Sequence, residues 1–272
     1  MADITDWSAR LQDTQRAFDS VAVDYDGPSG NNALIQRMRA ALWREVEQRV
    51  SRGSRLLDVG CGTGLDAAHF AAQGYEVVAT DWSPQMVQRT HARVIECDLG
   101  DRISVRLTGA QELGQLRGER FDAIYSDLGP LNCAPDLEAV AAACPLLLKP
   151  RGQLIVSVMG RVCPWERVYY TLRGDRTRAT VRQRLTAMPV SLNGETVWTR
   201  YYSPREFYRA FEHDFELVHY RGLSVFVPPP YFHRDRLARV YRLLGWFDDR
   251  LTALPGLRDV GDHFLMVLTR RD

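Results

Sequence analysis

Nowhere in the 272 residues do eighteen apolar side chains run together, so no membrane span is expected. The opening stretch, residues 1–16, carries Asp3, Asp6 and Asp13 and lacks the apolar core of a secretory signal. No export is expected, and the cytoplasm is the expected compartment. Cysteine is scarce and unpaired: Cys61, Cys97, Cys133, Cys144 and Cys163 form no C-x-x-C pair and have no histidine at zinc-finger spacing. Reduced thiols and no metal follow. An excess of one charge sign is also missing, since 35 basic side chains face 34 acidic ones. Near-neutrality removes the compositional argument for a dedicated nucleic-acid or anionic-membrane binder and leaves only a local patch to argue either case. Repeats and low-complexity tracts are absent too.

What remains is an ordinary globular composition, 45% hydrophobic and 25% charged, at a length that suits one large domain or one domain with a cap. In residues 32–50 the side chains Leu34, Ile35, Met38, Leu42, Val46 and Val50 fall at helical spacing behind Asn31 and Asn32. From Arg55 onward short apolar runs (56–59, 75–80, 103–105, 121–125, 153–158) alternate with helical stretches (66–73, 84–94, 135–147). Such alternation implies a parallel sheet covered on both faces. After Gly160 it stops. A helix at 204–211 and strands at 215–222 and 263–268 are separated by stretches too long for plain loops. The expected organisation is a helical lid over 1–54, a core over 55–160, cap insertions at 161–202 and 223–262, and a return to the core at 203–222 and 263–272.

The chemical signal is Leu57-Asp58-Val59-Gly60-Cys61-Gly62-Thr63-Gly64, placed directly after the first expected strand and opening a helix. Glycines there allow close backbone approach, and the helix N-terminus offers free N–H groups. At the end of the second strand, Asp81 can accept both hydroxyls of a ribose. Two nucleoside ligands suit such a site. A dinucleotide fingerprint reads G-x-G-x-x-G, whereas the glycines here stand at positions 60, 62 and 64, with an acid two residues ahead.

Asp-x-Gly-x-Gly-x-Gly with an acid after the second strand resembles the class I S-adenosylmethionine-dependent methyltransferases of small-molecule type, over roughly residues 18–160 plus the last strands. The resemblance implies an α/β, Rossmann-like, doubly wound, seven-stranded and mostly parallel sheet, here with an inserted α-rich cap. It implies S-adenosyl-L-methionine as cofactor. Carried over by position, Asp58 supports the glycine loop and reaches the methionine amine directly or through water. Gly60, Cys61 and Gly62 pass beneath the methionine part, Asp81 binds the ribose, and Trp82 and Met86 cover an adenine face. Phe18 and the pair Tyr25-Asp26 look like an entry segment whose tyrosine closes over the cofactor. Relatives carry a carboxylate where this chain has Gly109 in Gly109-Ala110-Gln111-Glu112-Leu113, so adenine recognition falls to backbone groups or Gln111. Ser126 and Asp127, at the end of the fourth strand, complete the cofactor set.

That strand end faces the methyl group in this fold, which makes Asp127 the first catalytic candidate, either as a base or as a carboxylate that only orients the backbone. His233, after Pro228-Pro229-Pro230, is the second, and His263 could also reach a pocket mouth. Asn132 either orients a substrate or satisfies a turn, the turn being the favoured reading. No Asn-Pro-Pro-Tyr sequence and no acidic cluster for magnesium are present.

The charge is unevenly spread. Residues 161–272 hold 19 Arg, no Lys, 13 acids and 18 of the 27 aromatics, whereas residues 1–160 hold 16 basic and 21 acidic groups. Arginine with aromatic faces suits an aromatic, lipid-like or acidic small molecule. The plainer reading makes Arg178, Arg182 and Arg184 a solvated helix face and the aromatics the cap's own core. The expected function is methylation of a small molecule, with oxygen as the favoured acceptor atom. The alternatives are an RNA or protein methyltransferase docking through the cap, and a catalytically silent nucleoside-binding scaffold.

Overall fold

A computed structural model describes residues 4–28 and 30–272, leaving the first three residues of the expected lid and Ser29 outside the described residues. Helices α1 (Ile4–Val21) and α2 (Ala33–Arg49) come first. Asn32 caps α2, its side-chain oxygen accepting from the Leu34 and Ile35 N–H groups at 3.0 and 3.3 Å. Strand and helix then alternate through β1 (Arg55–Val59), α3 (Leu65–Ala72), β2 (Glu76–Asp81), α4 (Pro84–Glu96), β3 (Ile103–Leu107), β4 (Phe121–Ser126), α5 (Pro130–Cys133), α6 (Leu137–Leu147) and β5 (Leu148–Met159). Beyond them lie α7 (Pro164–Leu172), α8 (Arg176–Thr180), a hairpin of β6 (Met188–Leu192) and β7 (Glu195–Thr199), α9 (Pro204–Phe211), β8 (Phe215–Leu223), α10 (Ala238–Leu251) and β9 (His263–Arg270).

The main sheet has seven strands in the order β3-β2-β1-β4-β5-β9-β8. Pairing is parallel from β3 through β5, and β9 runs antiparallel to both of its neighbours. Period-two alternation sends Leu57 and Val59 into the core beneath α6 and α9, and Leu56 into the core beneath α2 and α3. This doubly wound layout gathers the C-terminal ends of β1, β2, β4 and β5 along one edge, where α/β sheets bind ligands.

The cap is helical over α7, α8 and α10, but residues 161–202 also contain the β6–β7 hairpin. Its turn is Asn193-Gly194, with φ of 52° and 82°, the left-handed pair that a tight hairpin needs. The hairpin lies against α1. The Trp198 N–H donates to the Thr14 hydroxyl at 3.1 Å, and its indole N–H donates to Asp13 at 3.0 Å.

Arg182 departs from both expectations for it. It is buried, neither solvated nor offered to a ligand, and its guanidinium donates to Glu166 on α7, to the Gly160 carbonyl after β5 and to Asp262 before β9. Burial alone would raise the Asp262 pKa, but Arg182 and then His263 outweigh it and hold this carboxyl below its ordinary range. The stabilisation is therefore complete above the unfolded value of about 4 and fades as the pH falls below it. Arg182→Ala leaves two carboxylates without their cation and should cost about 3 kcal/mol, read as a lower denaturant midpoint. An unchanged midpoint would show that the cap is held some other way.

Candidate functional site

The β1–α3 loop turns on left-handed glycines, Gly60 at φ 81°, Gly62 at 55° and Gly64 at 78°. A Cβ on Gly60 would lie 2.3 Å from the Pro130 side chain, and one on Gly64 would lie 2.7 Å from Thr90, so the loop is closed in on two sides. Gly62 differs. Its missing Cβ faces the cavity, with Tyr25 Cε1 the nearest atom at 3.9 Å.

That cavity, about 300 Å³, opens at the strand ends. Its inner half is lined by Gly60, Cys61, Gly62, Asp81 and Tyr25, and on the flank by Trp82, Met86, Gln111 and Asp127. Asp81 holds the loop in place: one oxygen accepts the Gly62 N–H at 2.8 Å and the other the Ser83 N–H at 2.8 Å. Burial pushes its pKa up to about 6, although these backbone donors pull the other way. Each oxygen keeps a lone pair for a ligand hydroxyl. Tyr25 is positioned by its neighbour Asp26, which accepts from Arg93 and from the Thr63 hydroxyl. Burial raises the Tyr25 hydroxyl pKa above its ordinary value.

Gln111 sits where the missing carboxylate would be. A Cβ on Gly109 would lie 2.4 to 2.7 Å from its amide, so the glycine makes room for the glutamine side chain. Among the described residues the Gln111 Nε2, the Trp82 indole N–H and Asp127 Oδ2 are buried without a hydrogen-bond partner. Buried polar atoms left open around one cavity point to a ligand with several polar groups.

Asp127 ends β4. Its Oδ1 accepts from the Leu128 N–H at 2.9 Å and from the Ser157 hydroxyl, while Oδ2 stays open. Leu128 is held at φ 59°, a left-handed conformation that costs a bulky residue about 1–3 kcal/mol and is retained here by those bonds. Burial, and then Asp66, raise the Asp127 pKa to about 6, with Arg39, Ser157 and His263 acting in the opposite sense.

Three expected site residues lie elsewhere. Asp58 is register partner to Tyr125 and shares its face of the sheet, so its side chain is buried under α2 and α3, outside the cavity lining. Burial, reinforced by Asp66, raises its pKa well above its ordinary value, and its Oδ2 has no hydrogen-bond partner among the described residues. Ser126 points to the neighbouring strand, its hydroxyl donating to the Val59 carbonyl at 2.7 Å. His233 packs on Tyr241 with ring centroids 5.7 Å apart at the foot of α10, outside the cavity. Asn132 behaves as a turn clamp, donating to the Met159 and Arg200 carbonyls at 3.1 and 2.7 Å and accepting the Met159 N–H at 2.8 Å.

Two contributions were not anticipated. Arg39 of α2 lines the cavity beside Asp66, with which it forms a buried ion pair, and its Nε has no hydrogen-bond partner among the described residues. It is the guanidinium at the site, whereas the cap arginines Arg161 and Arg200 pair with Glu206, and Arg182 is spent on the cap. The helical spacing of 32–50 gave α2 but not which polar side chain faces inward. The outer half of the cavity is walled by Leu11 and Phe18 of α1 and by Val190, Leu192 and Val197 of the hairpin. The Asn193-Gly194 dipeptide was the available signal for that wall.

Residues 56–152 match the family described as "Methyltransferase domain". Over those residues the chain carries a methyltransferase domain. Over 145 residues, 53% of this chain, it is 33% identical to the ubiquinone biosynthesis O-methyltransferase of Xylella fastidiosa (strain M23), covering 58% of that protein. A protein of the same name from Xanthomonas axonopodis pv. citri is 36% identical over 139 residues, 51% of this chain and 56% of that one. The chain thus spans less than 60% of these curated relatives. The crystal structure of Burkholderia thailandensis 1,6-didemethyltoxoflavin-N1-methyltransferase, with bound 1,6-didemethyltoxoflavin and S-adenosylhomocysteine, aligns over all of this chain and 92% of its own at TM-score 0.59 and 20% identity. That likeness extends the methyltransferase fold to the cap and the last strands. The cofactor of this domain is S-adenosylmethionine, and the open glycine loop, the free lone pairs of Asp81 and the unpartnered Gln111 and Trp82 donors fit its methionine, ribose and adenine parts.

Proposed function

We propose that this protein methylates a small, largely apolar hydroxyl compound with S-adenosylmethionine. The observation that carries the reading is one continuous cavity whose inner half is the glycine loop with Asp81 and whose outer half is the apolar wall of α1 and the hairpin. The relatives' O-methyltransferase names support oxygen as the acceptor atom.

Bound in the inner half, the cofactor supplies an electrophilic methyl on sulfur. Asp81 holds the ribose hydroxyls, Gln111 and Trp82 meet the base, and Arg39 offers its guanidinium to the carboxylate. The wall of α1 and β6–β7 excludes water and fixes the acceptor, an alignment that contributes roughly 7–11 kcal/mol in favourable systems. Asp127 Oδ2 takes the acceptor's hydroxyl proton. With a pKa of about 6 it is ionised at neutral pH and still basic enough to help.

Incubating the protein with methyl-labelled S-adenosylmethionine and a panel of phenols, alcohols, carboxylic acids, RNA and protein should label the phenols or alcohols. Label confined to RNA or protein, or transferred to nothing, would overturn the reading. Trp198→Ala loosens the hairpin from α1 and should raise the acceptor KM about tenfold while the cofactor Kd stays within a factor of two or three, a loss of about 1.4 kcal/mol. Equal loss in both constants would place the wall in the cofactor half.

A further inference from the structure

Among the described residues, arginines and exposed apolar side chains coincide on α10, as they also do around Val168 and Leu172 of α7. The inner face of α10 is settled: Tyr241 packs on Leu34 and Val227. Asp248, buried, accepts the backbone N–H groups of Val225, Phe226 and Val227. Its other acid, Asp249, turns to Arg37 of α2 and also faces Arg44 and Arg221. Both carboxylates of α10 are thereby committed to the body of the protein.

The outer face is different. Val240, Leu243 and Trp246 follow each other at steps of three, one helical turn apart, and are 47%, 60% and 48% exposed. Arg239, Arg242 and Arg250 border them, and the Arg250 guanidinium lies 4.4 Å from the centroid of the Trp246 ring. None of these three arginines has an ion pair with an acid among the described residues. Arg234 and Arg236 extend the basic edge ahead of the helix, where Asp235 is the single acid. Leucine, valine and an arginine-stacked tryptophan on a face whose bordering carboxylate, Asp249, is already paired with arginines match the chemistry of an anionic bilayer surface, apolar beneath a negative headgroup layer.

We infer that α10 docks this protein on anionic lipid bilayers, lying in the interface with Leu243 and Trp246 below the headgroups and Arg239, Arg242 and Arg250 among them. No helix among the described residues is long and apolar enough to cross a membrane, so the contact is peripheral. The complementarity of charge favours lipid over a second copy of the chain, because this face of α10 would meet the same arginines on its copy. The inference is independent of the methyl-transfer reading.

Co-sedimentation of the full chain with vesicles of phosphatidylglycerol and phosphatidylcholine, against vesicles of phosphatidylcholine alone, tests it. Binding to the anionic vesicles is expected, at least tenfold weaker on pure phosphatidylcholine and weakened by added salt. Leu243→Glu and Arg239→Glu should each reduce partitioning at least tenfold with unaltered circular dichroism and melting temperature, and Arg239→Lys should restore most of it. No partitioning of the wild-type chain, equal partitioning to both vesicles, or partitioning that survives both Glu variants would overturn the inference. So would a dimer in light scattering that Leu243→Glu splits while vesicle binding persists.

Discussion

Asp81→Ala should raise the Kd for S-adenosylhomocysteine about a hundredfold in isothermal titration, because two charge-assisted bonds to ribose hydroxyls at about 1.5 kcal/mol each are lost. The same substitution frees the Gly62 and Ser83 N–H groups that Asp81 now holds, so the loop loses its anchor as well as the ligand. The pH dependence has a definite sign. With a pKa of about 6, Asp81 is ionised at neutral pH, and cofactor affinity should fall as the pH drops through 6. Asp81→Asn, which keeps one acceptor, should fall between wild type and alanine. Affinity unchanged in Asp81→Ala would remove the ribose assignment.

The second large effect is on turnover. Asp127→Asn should lower kcat about a hundredfold to ten-thousandfold, the range for loss of a positioned base, with the cofactor Kd changed by no more than a few-fold. At saturating S-adenosylmethionine, where the Asp81 effect on cofactor binding is removed, wild-type kcat should decline below about pH 6 as Asp127 takes up a proton, and the variant should lose that limb. Stability should move the other way. A carboxyl whose folded pKa lies above its unfolded value stabilises the fold only while protonated, and that contribution disappears as the pH rises through 6. At neutral pH the ionised, buried Asp127 therefore strains the fold, and Asp127→Asn should raise Tm even as it slows the reaction. A variant with full kcat would show that the acceptor needs no base.

The central sheet was legible because each strand from β1 to β5 is a short apolar run between helical stretches, and because Gly60, Gly62, Gly64 and Asp81 lie close together in sequence. Local patterns report local structure. Asp58 and Ser126 were carried over by position from the family resemblance, but which face each takes depends on the pleat and on pairing: Asp58 lies opposite Tyr125, and Ser126 spends its hydroxyl on β1. His233 followed from nearness to a proline run, whereas its place is fixed by packing on Tyr241 in α10. Arg39 and Arg182 were hidden for a similar reason. Their partners Asp66, Glu166 and Asp262 are 16 to 80 residues away, and nothing in the composition distinguishes a buried arginine from a solvated one. The hairpin wall alone was within reach, through Asn193-Gly194 between two short alternating runs.

The glycine loop and Asp81 are proposed to form one cofactor site in this chain. Titrating S-adenosylhomocysteine into the freshly purified wild-type protein tests it most directly: saturable binding at one site per chain is predicted, and no heat of binding from well-folded protein would contradict it.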